Sequence, residues 1–225
     1  MKSYEMHMHT KYSKCSNLEL QTILKIAKKR GLSGVAITDH DTFVGAQKLL
    51  QLNMDKNFEV ILGEELSTKH GHILVYFLQK EIKSRNFLEI VDEAREQDAL
   101  IMVAHPFDFL REYSSKEFIL QNKKYLDGIE ILNARSIVPW SNWQARIFAL
   151  RHNLGISGGS DAHFSIEIGR VQTCVKDDLR KALKKKQVVI KGNTLYGPVG
   201  NFLTVSKKFR DRDFTSISKF LFHKK

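Results

Sequence analysis

Short apolar runs alternate with amphipathic stretches along most of the chain. The first run, over 3–9, reads as a strand. Leu20, Ile23, Leu24 and Ala27 then recur at i, i+3, i+4 and i+7 and predict a helix over 18–30. Asn17 is placed to cap it, the basic run 28–30 suits its last turn, and Gly31 suits its stop. GVAIT (34–38) predicts a buried strand, followed by a helix near 43–52 and a strand over 58–62. The alternation then breaks, because a turn at 67–71 leads straight into a second apolar run over 72–78. Phe87, Ile90, Val91 and Ala94 share one face of a helix predicted over 83–97. Strands over 100–104, 128–132 and 155–158 follow, with helical stretches near 114–124 and 139–153 between them. A short helix over 179–185 and a strand over 187–191 come last. About seven strands, mostly separated by helices, predict an α/β fold with a largely parallel sheet, closed or open.

Composition fits a folded chain: 225 residues, 42% hydrophobic, 10% aromatic, with three prolines. The net charge of +11 is unevenly placed. Residues 176–225 hold 14 basic against 4 acidic side chains, leaving 22 against 21 in residues 1–175. The body is therefore nearly neutral, and the expected organisation is one domain over 1–200 with a basic appendage over 201–225. Basic residues of that segment interleave with Phe209, Phe214, Phe220 and Phe222, a composition able to contact nucleic acid but equally suited to packing or solvation. Cys15 and Cys174 cannot build a disulfide framework and read as free thiols of a reducing compartment. The opening MKSYEMHMHT lacks the apolar core of a secretory signal, and no apolar run reaches membrane-spanning length, so a soluble, cytoplasmic protein is expected.

The histidines carry the chemistry. Nine are present, and His7, His9, His40, His72, His105 and His163 occupy distinctive places. All but His72 fall at or just beyond the C-terminal ends of predicted strands, the edge that carries active sites in β/α barrels and open α/β sheets. His7-Met8-His9 puts two imidazoles on one face of a strand, and Asp161-Ala162-His163 repeats that spacing with a carboxylate. Asp39-His40-Asp41 and Glu64-Glu65 add further ligands. Imidazole with carboxylate suits Zn, Mn or Fe, and the donors outnumber what one ion can use, so two or three divalent ions are expected. His72 begins its strand, but it reaches the same edge beside Glu65 if the preceding strand turns back through 67–71.

Taken in order, HMHT, ITDHDT, GEE, GHIL, AHPFD and GGSDAH resemble the PHP family, the polymerase and histidinol phosphatase domains, over residues 4–170. The resemblance implies a distorted (β/α)7 barrel and a metal-dependent phosphoesterase. It implies that His7, His9 and Asp161 hold one ion, that Glu65 bridges two, that His72 and His105 hold another, and that His40 and His163 hold the remaining one. Glu64 is then a neighbour outside the ligand set or a solvent-facing group. One departure stands out: Lys14 occupies a position where family members often carry a carboxylate. Either the His40/His163 ion is held weakly, or Lys14 brings its ammonium to a substrate phosphate. Cys15 reads as a small, partly buried thiol or as a ligand.

Ions side by side suit phosphate-ester hydrolysis, one acidifying a water and its neighbours holding nonbridging oxygens. His40, Asp161 and His163 are the catalytic candidates. Arg135, in NAR after the sixth strand, has the fork geometry to hold two phosphate oxygens; Asn133 and Arg170 follow on the same logic. Trp140 and Trp143, at i and i+3, are expected to pack. The leading expectation is hydrolysis of a phosphate monoester of a small metabolite or nucleotide. A nuclease, or a nucleic-acid-binding protein with a vestigial site, is the alternative.

Overall fold

The computed structural model describes residues 1–210 apart from 112, 139, 195 and 196, with the side chains of the last helix described for 200–206. Nine strands form one sheet in the order β7-β6-β5-β4-β3-β2-β1-β8-β9. They are β1 (Lys2–Glu5), β2 (Gly34–Ile37), β3 (Glu59–Thr68), β4 (Gly71–Tyr76), β5 (Leu100–Val103), β6 (Gly128–Asn133), β7 (Gly155–Gly159), β8 (Val171–Val175) and β9 (Val189–Gly192). The helices are α1 (Leu20–Lys29), α2 (Val44–Leu52), α3 (Phe87–Arg95), α4 (Lys116–Gln121), α5 (Ser141–Arg151), α6 (Leu179–Lys184) and α7 (Gly197–Arg210).

The sheet is mixed rather than largely parallel. β1-β2, β2-β3, β5-β6 and β6-β7 pair parallel, whereas β3-β4, β4-β5, β1-β8 and β8-β9 pair antiparallel. The 67–71 segment is indeed a turn, and it closes a hairpin in which Ser67 faces His72. β8 was not anticipated: VQTCV mixes polar and apolar residues too evenly to stand out as a buried run. The sheet curls until β7 meets β8, where the Thr173 hydroxyl donates to the Gly158 carbonyl (2.9 Å) and accepts from the Gly158 N–H (3.1 Å). The result is a nearly closed barrel.

Period-2 alternation divides the core in two. In β5, Ile101 and Val103 join the cluster shared with α1, α2, α3 and α5, while Leu100 and Met102 join a second cluster with Tyr4, Leu74 and Tyr76, to which α6 adds Leu179 and Leu183. Burying a side chain such as Ile73 or Leu74 contributes roughly 1.5–3 kcal/mol. Local signals set several helix starts: Asn86, Ser115 and Asp178 accept from backbone N–H groups at the N-termini of α3, α4 and α6. Asn17 does not cap α1, which begins at Leu20; its N–H instead donates to the His163 carbonyl (3.4 Å), so the loop before the helix is tied to the far end of the chain. Pro139, expected to open α5, lies outside the described residues. The expected 200/201 division falls inside α7. Among the described residues no helix is long and apolar enough to cross a membrane.

Candidate metal centre

Two pieces of backbone build the centre. Beyond β1, Met8 bridges Ala162 in parallel: the His9 N–H donates to the Ala162 carbonyl (2.9 Å) and the Ala162 N–H to the His7 carbonyl (3.4 Å). This pairing sets the two x-Ala-x and x-Met-x repeats side by side, so His7, His9, Asp161 and His163 converge. Glu5 clamps the same junction, accepting from the backbone N–H groups of His7, Ser160 and Gly169. Gly159 is required where the pieces touch, because a Cβ there would lie 2.4 Å from that of His7. Asp161 (φ 54°) and His105 (φ 25°) adopt left-handed backbone conformations, a local cost that surrounding packing must outweigh. A second parallel bridge joins His40 to Glu65.

Glu65 is the hub, buried completely. Its Oε2 lies 3.3 Å from His7 Nε2, 3.2 Å from His9 Nε2 and 3.3 Å from His40 Nδ1. Its Oε1 lies 3.0 Å from His72 Nδ1 and 3.1 Å from His105 Nε2. Asp161 Oδ1 lies 3.2 Å from His9 Nε2 and 3.7 Å from His7 Nε2. All eight residues expected to ligate metal are therefore brought together. His40 (28% exposed side chain), His72 (12%) and Arg111 (17%) are the more exposed members around the otherwise buried cluster.

Burial alone would raise the Glu65 carboxyl, but His40, His7, His72 and the His105 contact outweigh it and hold it well below the usual range. Burial likewise opposes ionisation of Asp161, and Arg111, His7 and His9 overcome it. Burial lowers His40 to about 3, and burial with the Arg135 charge holds His163 well below its ordinary value. At neutral pH both rings are neutral, which suits ligands rather than proton donors.

Neighbours fix the ring nitrogens. His7 Nδ1 lies 3.0 Å from Glu130 Oε1, an acceptor that keeps a proton on this nitrogen, so Nε2 is the ring atom turned toward Glu65 and Asp161; against burial, Glu130, Glu65 and Asp161 together raise the ring well above its ordinary value. His163 Nδ1 donates to the Asp161 carbonyl (2.7 Å), leaving its Nε2 free of a proton. His7 Nε2, His9 Nε2, Glu65 Oε2 and Asp161 Oδ1 are buried with no well-aligned hydrogen-bond partner among the described residues. Buried carboxylate and imidazole donors turned toward one another in this way fit divalent cations.

Several side chains take places other than those expected. Arg135 is 4% exposed; its Nη2 donates to Thr204 Oγ1 of α7 (2.7 Å) and its Nε lies 3.4 Å from Glu167 Oε1, so its fork faces a carboxylate and a helix rather than an open pocket. Arg111 is the arginine that reaches the centre, donating from Nη2 to Asp161 Oδ2 (2.7 Å). Lys14 is exposed, whereas Cys15 has its Sγ within 4.8 Å of ligand atoms of His9, His40 and His163. Burial pushes the Cys15 thiol up to about 12. Glu64, on the opposite strand face from Glu65, is fully buried rather than solvent-facing, accepts from the Ile82 N–H (3.2 Å), and is raised by burial to about 8. Asn133 donates to Glu130 and Asp161, a positioning role, while Arg170 turns to the Ile166 carbonyl. Trp140 and Trp143 do not pack as expected; both are exposed.

Comparison with known proteins agrees with this geometry. The PHP domain model matches residues 5–196. An uncharacterized protein of Methanocaldococcus jannaschii is 36% identical over 172 residues, 73% of this chain and 67% of that one. A Bifidobacterium adolescentis protein assigned as a metal-dependent phosphoesterase superposes with a TM-score of 0.61 at 18% identity, over 72% of this chain and 88% of that one. A lesion-specific endonuclease of Pyrococcus furiosus superposes with a TM-score of 0.61 at 22% identity, over 82% of this chain and 56% of that one. At these identities the two superpositions speak for the shared fold. The family match spans nearly the whole described barrel and takes in every residue of the centre, and the chain belongs to the PHP domain family.

Proposed function

We propose that this chain is a metal-dependent phosphoesterase that hydrolyses a phosphate monoester of a small metabolite or nucleotide. The observation that carries the reading is Glu65, whose two oxygens face two separate imidazole sets, His7/His9/His40 and His72/His105. A carboxylate so placed is suited to joining two cations. His7, His9 and Asp161 would hold one ion, His72 and His105 a second, and His40 with His163 a third. Bound ions of this kind, Zn, Mn or Fe, supply Lewis acidity to phosphate oxygens and an activated water.

The chain's own residues do the rest. Glu130 keeps the His7 proton on Nδ1, and the Asp161 carbonyl does the same for His163. Arg111 neutralises Asp161 from the more exposed side of the cluster, and its buried Nη1 has no hydrogen-bond partner among the described residues. That fork is suited to a phosphate oxygen. The test uses protein loaded separately with Zn, Mn and Fe, assayed on an aryl phosphate monoester, an aryl diester, phosphorylated metabolites and oligonucleotides. Turnover of monoesters that is lost in His9→Ala and Asp161→Asn supports the reading. Turnover retained in either variant overturns it, and turnover of diesters alone replaces it with a nuclease.

A further inference from the structure

We propose that Cys15 is a thiolate ligand of the ion held by His40 and His163, which makes this position of the centre a sulfur-nitrogen site. The inference rests on the metal-centre reading above.

The placement is built rather than incidental. Cys15 Sγ and one ring nitrogen each of His9, His40 and His163 all lie within 4.8 Å of one another. Tetrahedral bonds of about 2.0 Å to nitrogen and 2.3 Å to sulfur put donors on one ion roughly 3.3–3.5 Å apart, so side-chain movements on the order of an ångström suffice. His9 Nε2 is fully buried and lacks an aligned hydrogen-bond partner among the described residues.

The loop that carries the thiol is tied to the other ligands on both sides of it. Ser13 Oγ accepts from the His40 N–H (2.8 Å) and donates to Asp39 Oδ1 (2.8 Å). Ser16 Oγ reaches the His9 carbonyl (2.9 Å) and the His163 carbonyl (3.1 Å). Two serines flanking one cysteine thus engage the backbone of all three histidines that share its cluster. A surface thiol with a packing role needs no such bracing. With His9 given to the neighbouring ion, Cys15, His40 and His163 remain as three protein donors with room for a further ligand, the pattern of a catalytic rather than a closed structural site.

A thiolate changes which ion this position prefers. Sulfur favours zinc over manganese, while the carboxylate-rich part of the centre accommodates either. The chain would therefore hold unlike ions side by side when both are supplied, with zinc at Cys15.

The experiment uses the full chain carrying Cys174→Ser. Cys174 lies in β8, 1% exposed, and removing it leaves one thiol to read. Metal-free protein is titrated with Co2+, the thiolate-to-metal charge-transfer band is followed in the near ultraviolet, and bound ions are counted by elemental analysis. The expected result is a charge-transfer band that Cys15→Ser abolishes and a fall of about one ion per chain in that variant. Cys15→Asp should restore the ion count without the band and shift that position toward manganese. Ions bound with no thiolate band, or a Cys15→Ser variant binding as many ions as its parent, would overturn the assignment while leaving the metal centre intact. A parent that takes up no ion overturns both readings together.

Discussion

Replacing Glu130 by Gln separates the ligands from the group that orients them. Glu130 is buried and accepts three hydrogen bonds: from His7 Nδ1 on one oxygen, and from the His105 N–H and Asn133 Nδ2 on the other. Gln is nearly the same size but offers one acceptor oxygen. Facing that oxygen toward His105 and Asn133 keeps two of the three bonds and points the amide NH2 at His7. The imidazole must then accept at Nδ1 and carry its proton on Nε2, the atom turned toward Glu65 and Asp161. The ligand lone pair is lost without moving a heavy atom. Losing such an orienting partner typically weakens metal affinity about 10–100-fold, or roughly 1.4–2.7 kcal/mol. Folding without metal should fall by about 1 kcal/mol, because the charge-assisted bond at His7 is replaced by a neutral one. Isothermal titration with zinc against a competing chelator measures the first quantity, and urea unfolding in chelator measures the second. A Glu130→Gln protein that binds zinc as tightly as the parent would refute the reasoning, since the tautomer would then not depend on Glu130. Glu130→Ala should be far more damaging to folding, because it strands three buried donors at roughly 1–3 kcal/mol each.

Three further outcomes are expected. Arg111→Ala should lower kcat/KM on a phosphate monoester about 100-fold with the ion count unchanged, as shown by parallel elemental analysis; an unchanged rate would remove Arg111 from the site. Glu64 is held protonated by burial, up to about 8, so its contribution to stability is full below pH 4.5 and is lost as pH rises through 8. That loss is on the order of 5 kcal/mol, and Glu64→Gln should flatten the decline in urea midpoint between pH 6 and 9; parallel curves would refute it. Zinc at 100 times its dissociation constant should add about 2.7 kcal/mol per independent site to unfolding, read as a rise in Tm that chelator reverses; a Tm indifferent to zinc would speak against native-state binding.

The convergence of these imidazoles and carboxylates was legible because strands repeat every two residues. HxH and DxH can place their side chains on only one face, and a strand's end fixes the edge of the sheet. Loops have no such period. Lys14 and Cys15 are adjacent, and nothing in the pattern says which turns inward; Ser13 and Ser16 decide it by hydrogen bonds to residues far along the chain. Arg111 sits in an irregular loop after β5 and gave no signal. Arg135 was placed near the centre, but its partners Glu167 and Thr204 lie 32 and 69 residues on, beyond any local pattern. Glu130 did leave a sign: a carboxylate in the apolar run GIEIL is costly unless it is bonded, so its presence asks for a partner. The mixed sheet was missed because β8, whose polar and apolar residues alternate too evenly to stand out, pairs antiparallel with both β1 and β9.

The seam where β1 approaches β7 has a consequence for folding. His7 and Asp161 stand 154 residues apart in the chain and side by side in the centre. Bringing such distant positions together costs a flexible chain roughly 4 kcal/mol of closure entropy. A cation shared between them would act as a removable cross-link between residues near opposite ends of the barrel sequence. Its uptake would thus be a late event, available only once both halves of the sheet have met. Its release would untie the ends of β1 and β7 at the same moment, so the metal-depleted protein should open first along that seam.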